Sequence, residues 1–266
     1  RCKAGQKSDL IEECLWEALS AVRAVIEKSP DLVKAMAKRT VQARDRLNRK
    51  KRQPRKNAPQ VDAVYRTAEK EGQEIPEALK LTPGKTTTLR GELGRVLEYY
   101  NKVSQGAIFV SSADLLGSTS VSTGAKGFPE GYFNRATNPF SRTLSVGGIC
   151  EDAMAGILSG LASFGSHIGV GSSYAAFIAP LSHIAARLHA IGNQARQAIA
   201  KAPYRPIILV CAHSGIKTGE DGPTHADPQP LQLLQENFPK GTAITLTPWD
   251  PQEMWIVMSA ALAKRP

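Results

Sequence analysis

The feature that most constrains the fold is an uninterrupted apolar run over residues 206–211 (PIILVC), directly followed by a polar loop. Strands covered on both faces of a parallel sheet have continuous apolar runs of this kind. The loop contains His213, Asp221 and His225, the last two within the string Gly-Glu-Asp-Gly-Pro-Thr-His. Because ligands of open α/β sheets bind beyond the carboxyl ends of strands, we interpret it as a candidate catalytic loop. A simple turn carrying two surface histidines is the alternative.

Strand-like and helix-like segments alternate along the C-terminal two thirds of the chain. This alternation predicts βαβ units, and therefore an α/β fold with a parallel sheet covered by helices on both faces. We place this domain at residues 86–266. The predicted strands are 107–110, 144–149, 167–170, 207–212 and 243–247, and the predicted helices are 88–103, 151–163, 174–200, 230–236 and 251–263.

Residues 1–85 are expected to form a helical extension with a basic linker. Apolar residues at helical spacing over 8–27 and 31–48 predict a helical hairpin. Residues 49–60 contain prolines and almost no apolar side chain, which predicts a linker. A further helix is predicted over 61–71 before the composition changes.

Charge and composition narrow the possible partners. Most of the net charge of +10 lies in the first hundred residues, centred on the basic segment 38–56. This segment lacks interleaved aromatics, which favours a solvated helix end and linker over a nucleic-acid-binding surface. No apolar stretch approaches the length of a membrane span, so none is predicted. The four cysteines show no CxxC pairing, which favours a reducing cytoplasm.

Four motifs occur in a fixed order at the ends of predicted strands: residues 112–115 (SADL), 148–154 (GICEDAM), 171–177 (GSSYAAF) and the loop 213–225. Their order and spacing resemble the pyrimidine-binding domain of the transketolase family of thiamine diphosphate enzymes, over residues 86–264. The resemblance implies the pyrimidine-domain fold of thiamine enzymes and thiamine diphosphate as the cofactor. It also implies transfer of a two-carbon ketol unit between sugar phosphates.

Glu151 is the residue to which this resemblance gives the central catalytic and cofactor-binding role. A carboxyl group that holds N1′ of the aminopyrimidine lets the 4′-amine take the proton from the thiazolium C2. Glu151 lies at a predicted strand-to-helix junction, between Ile149 and Met154, and apolar surroundings favour the protonated carboxyl that this contact needs. A glutamate that only complements the helix dipole is the alternative.

Three further residues would form the cofactor site by the same resemblance. Phe177 would stack on the pyrimidine, with Tyr174 one helical turn before it on the same face. Aromatic residues at this spacing also occur as ordinary core residues. Asp114 would support the cofactor site from behind, and a strand-end cap is an equal alternative.

The substrate site implied by the resemblance combines the catalytic loop with a cation upstream. His213, Asp221 and His225 match the acid and imidazoles that bind sugar oxygens, and both histidines would also move protons. Arg90 matches the family arginine that grips the sugar phosphate as a charged fork. Ser118 matches a serine beside this arginine.

The sequence departs from the family pattern around both sites. Cys150 and Ala153 stand where family members usually have Arg and Gly, and Ser214 and Lys217 alter the sugar-binding loop. The chain also lacks a Gly-Asp-Gly motif followed at a distance by Asn, the family arrangement that holds magnesium and the diphosphate. We therefore predict no metal site here, and expect Mg²⁺ to be held by a partner chain or another domain, in an oligomer with a shared active site.

Two other functions stay open at this point. One is another branch of the thiamine enzymes, such as a deoxyxylulose phosphate synthase or a ketoacid dehydrogenase beta-type subunit; the paired histidines and the intact loop argue against both. The other is a non-catalytic interaction subunit that keeps the fold. The presence of Glu151, His213 and His225 counts against the loss of catalysis.

Overall fold

The computed structural model of the chain describes residues 8–113, 116–178, 184, 189–212, 238 and 241–265. These residues form two compact units, 1–58 and 59–266. Within the described residues there are seven α-helices and three β-strands: α1 (Ser8–Glu27), α2 (Pro30–Arg49), α3 (Val61–Glu71), α4 (Leu89–Val103), β1 (Ile108–Ser112), α5 (Glu151–Phe164), β2 (Ile168–Tyr174), α6 (Ile191–Ala200), β3 (Ile208–Ala212) and α7 (Glu253–Lys264).

The first unit contains α1 and α2, the two helices predicted from apolar spacing. Helix α2 begins with Pro30. Proline suits this position because the first N–H groups of a helix have no hydrogen-bond partner within the helix. No residue of α2 is buried within this unit, and several large apolar side chains of both helices are exposed. Nowhere in the described chain does a helix combine the length and apolar character needed to cross a bilayer.

The described cysteines differ in redox state. Cys150 and Cys211 are not in disulfide bonds, whereas Cys14 is disulfide-bonded. The expected cytoplasmic location therefore stays a prediction.

The second unit is built on a parallel sheet with the strand order β1-β2-β3. Side chains from one face of the sheet, such as Val110 and Val170, pack with α3, α4 and α7. From the other face, Leu209 packs in a second cluster with α5. A Cβ on Gly169 would lie 2.7 Å from the Cβ of Leu158, so the missing side chain allows α5 to approach β2 closely. The predicted α/β fold with helices on both faces is confirmed.

Helix α3 belongs to this sheet unit. It buries Val64, Tyr65 and Ala68 in the core, alongside residues of α4 and α7. In the same core the Tyr100 ring stacks on Trp255, with ring centroids 4.9 Å apart. The compact unit therefore begins at residue 59, upstream of the domain start expected at residue 86.

Two predicted strands are wrong. Residues 144–149 and 243–247 form no strand. The first segment instead follows a single bridge between Thr143 and Val110. Backbone pairing with β1 ends at Leu144, and Gly147 then turns the backbone with a φ of 84°.

The predicted helix 174–200 is also wrong over its first part. Strand β2 continues through Tyr174, whose backbone is in register with Ala212 of β3, and a 3₁₀ turn follows over Ala175–Phe177. Regular helix is present over α6, at the end of the predicted range. Pairing with β3 thus extends the strand into residues whose sequence resembles a helix start.

Candidate functional site

The candidate site lies at the carboxyl edge of the sheet, where β2 is flanked by β1 and β3. Parallel strands end at one edge, so Ser112, Tyr174 and Ala212, the last residues of the three strands, lie at the same edge of the sheet. The end of β2 carries two adjacent buried hydroxyls, Ser172 and Ser173. Successive side chains of a strand point to opposite faces, so the hydroxyls of these two serines lie on opposite faces of the sheet.

Glu151 is positioned by Ser173. It is the first residue of α5 and is half-buried. The Ser173 hydroxyl donates a hydrogen bond to Glu151 Oε1 across 2.8 Å. Within the described part of the chain the other oxygen, Oε2, has no hydrogen-bond partner, so the carboxyl is held at one oxygen while the second can accept or donate. The first-turn position also suits the helix dipole, so the geometry accommodates both interpretations of this residue.

Arg90 and Ser118 are brought together, as the resemblance implies. Arg90, in the first turn of α4, donates from Nη1 to the backbone carbonyl of Ser118 across 2.7 Å. The next residue, Thr119, is tied to β2 by a 2.8 Å hydrogen bond between its hydroxyl and that of Ser172. Arg90 is exposed, and its guanidinium donates one of its five N–H groups to this carbonyl. The other N–H groups can therefore bind an anion. Their role in phosphate binding stays a prediction.

The two predicted aromatic residues are not equivalent. Tyr174 is the last residue of β2 and is 3% exposed, while Phe177 lies in the following 3₁₀ turn and is 40% exposed. The predicted shared helical face is therefore wrong, because Tyr174 is a strand residue that packs in the interior. Of these two rings, that of Phe177 is the more accessible.

The remaining predicted site residues, Asp114, His213, Asp221 and His225, lie outside the described residues and stay predictions. Across the part of the chain that is described, no group of three or more His, Cys, Asp or Glu side chains could hold a metal ion.

Sequence reasoning missed Ser173, Ser172 and Thr119 as positioning residues. The available signal was a pair of serines at the end of a buried strand. Hydroxyls in such a place need hydrogen-bond partners, and those partners turn out to be the candidate carboxyl and the loop beside the candidate cation.

Comparison with known proteins gives one family match. Residues 86–266 match the family model described as "Transketolase, pyrimidine binding domain". The chain is 35% identical over 102 residues to the transketolase of Mycoplasma genitalium, covering 38% of this chain and 14% of that protein. It is 36% identical over 87 residues to a probable transketolase of Schizosaccharomyces pombe, covering 33% of this chain and 10% of that protein.

A solved structure is similar over a larger share of the chain. It is a transketolase variant from Pichia stipitis in complex with xylulose 5-phosphate, 26% identical, with a TM-score of 0.55. The match covers 76% of this chain but 28% of that structure. The chain thus corresponds to a minor part of the length of each of these proteins.

Proposed function

This chain belongs to the transketolase family through its pyrimidine-binding domain, and on that premise we propose that it forms the pyrimidine-binding part of an enzyme that transfers a two-carbon ketol unit between sugar phosphates. The observation that carries the proposal is the Glu151 carboxyl, held by Ser173 at the carboxyl edge of a matching domain. The family and its relatives support a thiamine diphosphate-dependent transferase.

The described residues fit the aminopyrimidine of thiamine diphosphate, the cofactor that the family implies. Glu151 offers a half-buried carboxyl with one oxygen available, which suits a hydrogen bond to a ring nitrogen. Phe177 offers an aromatic ring with 40% of its surface exposed, which suits stacking. When bound, the cofactor supplies a carbon acid whose nucleophilic form attacks sugar carbonyls.

Glu151 has the proton-handling role in this proposal. The Ser173 hydroxyl fixes Oε1, so that Oε2 can hold a proton toward the ring nitrogen N1′ in one orientation. A positioned acid or base of this kind typically contributes a factor of about 10²–10⁴ to rate. Asp114 would support this site.

Substrate binding is proposed for two groups of residues. Arg90, beside Ser118, would bind the phosphate through the N–H donors that the Ser118 carbonyl does not use. His213, Asp221 and His225 would bind the sugar oxygens, and the two histidines would move protons. The similar transketolase solved with xylulose 5-phosphate supports sugar phosphates as the substrate class.

The diphosphate and Mg²⁺ are proposed to be bound by a partner domain or subunit of the same enzyme. The chain has no Gly-Asp-Gly motif with a following Asn, and its matches cover only 14% and 10% of the length of the curated relatives. We therefore propose an oligomer with a shared active site. We place the enzyme in cytoplasmic carbohydrate metabolism, in sugar interconversions of the pentose phosphate type.

The test is a pair of variants in the enzyme reconstituted with its diphosphate-binding part. Glu151→Gln should abolish exchange of the cofactor C2 proton, measured by NMR, and ketol transfer from xylulose 5-phosphate, because an amide cannot cycle this proton. Asp152→Asn is the matched control, since Asp152 is an exposed acid in the same helical turn. Near-normal C2 exchange in Glu151→Gln would remove Glu151 from the role. Absence of ketol transfer by the unmodified reconstituted enzyme would contradict the proposed function.

A further inference from the structure

A polar cavity lies at the amino edge of the sheet, opposite the carboxyl edge that carries the candidate site. Its volume is about 240 Å³, and the residues that line it include His167, which directly precedes β2, and Arg205, three residues before the start of β3. Arg205 donates from Nη1 to the Ser163 carbonyl, in the last turn of α5, across 2.6 Å. Since Glu151 is the first residue of α5 and the helix has 14 residues, about 20 Å of helix separates this cavity from the candidate site.

Three guanidinium groups line the cavity, and the fold holds two of them closely. Arg265 lies over the Tyr65 ring, with Cζ 4.2 Å from the ring centroid. The backbone of Arg205 is fixed by the buried side chain of Asn193, whose Oδ1 accepts from the Arg205 N–H across 3.1 Å. The third group is Arg196, on α6.

Gly165 makes room for the Arg205 guanidinium. It ends α5 with a φ of 91°, and a Cβ at this position would lie 2.0 Å from Arg205 Cζ. Both the left-handed backbone and the close approach of the guanidinium therefore require glycine. The cation is thus a built feature of this edge, and not a side chain extended into solvent by default.

Positive charge exceeds negative charge in this cavity. Among the described residues that line it, Asp62 is the single carboxylate, and it is exposed. Arg265 has a partner outside the lining, Glu69, at 3.6 Å. Burial, together with the nearby positive charge of Arg196, lowers the pKa of Arg205. Two like charges that face each other in this way are stabilised by an anion placed between them.

Two neutral side chains complete a polar lining. Burial raises the pKa of Tyr65 to about 12, so its hydroxyl stays protonated at neutral pH. Burial lowers the pKa of His167 to about 4, with a smaller contribution from Arg142, so its imidazole is neutral at the same pH. Neither group adds a negative charge that would oppose an anion.

We propose that this cavity binds a small phosphate monoester, with Arg196, Arg205 and Arg265 on the phosphate. Guanidinium forks match the geometry and charge of phosphate oxygens. A volume of about 240 Å³ is at the small end of ligand sites, which selects a compact metabolite. The Tyr204 ring supplies apolar surface for its organic part.

The test is calorimetric titration of the full chain with inorganic phosphate and with ribose 5-phosphate, using ribose as the neutral control. Every protein in the series carries Arg90→Gln, so that the proposed substrate site does not contribute. Both phosphates should bind saturably at one site, and ribose should not. Absence of saturable phosphate binding in this background would overturn the proposal.

Three variants then test whether phosphate binds in this cavity. Arg196→Gln should weaken phosphate binding about tenfold or more, because one charge-assisted contact is lost. Arg135→Gln removes the same charge from an exposed position outside the lining, and should leave affinity unchanged. Asp62→Asn should strengthen binding, a gain that impaired folding would not produce. Equal affinities in Arg196→Gln and Arg135→Gln, or weaker binding in Asp62→Asn, would also overturn the proposal.

Discussion

Replacing Asn101 by alanine is expected to destabilise the sheet unit by about 3–5 kcal/mol, because three buried backbone groups lose their partner. The Asn101 side chain is fully buried at the end of α4. Its Nδ2 donates to the carbonyls of Ile108 and Gly124, across 3.1 and 2.7 Å, and its Oδ1 accepts from the Ile108 N–H across 2.9 Å. One side chain therefore joins the helix, the start of β1 and the 3₁₀ turn at 121–125.

The magnitude follows from these three contacts. A buried polar group left without a partner costs about 1–3 kcal/mol, and three such groups give an upper limit near 9 kcal/mol. Water that enters the space left by the side chain restores part of the hydrogen bonding, so we expect the lower third of the range of about 3–9 kcal/mol, which is about 3–5 kcal/mol. Asn101→Asp keeps the acceptor but places a carboxylate oxygen toward two carbonyls, and should cost at least as much.

Urea unfolding followed by tryptophan fluorescence measures this change. Trp255 reports on the sheet unit because it is 2% exposed in its core. Asn48→Ala is the matched control, since Asn48 is exposed on α2, and surface changes usually alter stability by less than about 0.5 kcal/mol. A loss below about 1 kcal/mol in Asn101→Ala, with an unchanged denaturant slope, would refute the reasoning.

Three further outcomes are expected. Arg90→Ala in the reconstituted enzyme should raise KM for phosphorylated sugars much more than for unphosphorylated ones, since only the former lose a charge-assisted contact; equal changes would contradict the assignment. The isolated chain should bind thiamine diphosphate weakly in calorimetry, with no gain from magnesium, because a carboxyl and an aromatic ring offset too little of the cost of binding; tight magnesium-dependent binding would show a metal site in this chain. Burial lowers the pKa of His167 from 6.5 to about 4, so the folded state binds fewer protons than the unfolded chain, and the stability present above pH 6.5 is lost as pH falls toward 4. His167→Gln should reduce this loss in urea unfolding across that window, and an unchanged loss would mean that His167 does not contribute.

The pattern of apolar residues predicts the bounds of strand β3 to within one residue, but it does not predict the length of β2. The run at 207–212 is half-buried in the structure, with Ile208 and Leu209 packed against clusters on opposite faces of the sheet, as expected of a strand between two helical layers. In β2, Gly169, Ser172 and Ser173 have weak strand propensity. They are kept in the strand by pairing with β1 and β3, and a single sequence does not show such pairing.

For the candidate site, sequence motifs indicate residue types, whereas contacts depend on the backbone. The motifs predict Glu151 and Arg90 as site residues; the structure gives each a defined contact, and their roles stay predictions. The predicted pairing of Tyr174 with Phe177 failed because it assumed a helix. Tyr174 is 3% exposed and Phe177 is 40% exposed, and the strand geometry at Tyr174 accounts for this difference.

The extension of β2 also determines how the two halves of the site are arranged. Ser172 bonds the Thr119 hydroxyl beside Ser118, and Ser173 bonds Glu151. In a strand these adjacent serines point to opposite faces, whereas in a helix they would be about 100° apart and on one side. Pairing of β2 with β3 therefore holds the candidate phosphate contact and the candidate carboxyl on opposite faces of one strand end. The two candidate groups accordingly approach the carboxyl edge, where β3 also ends, from opposite sides of β2.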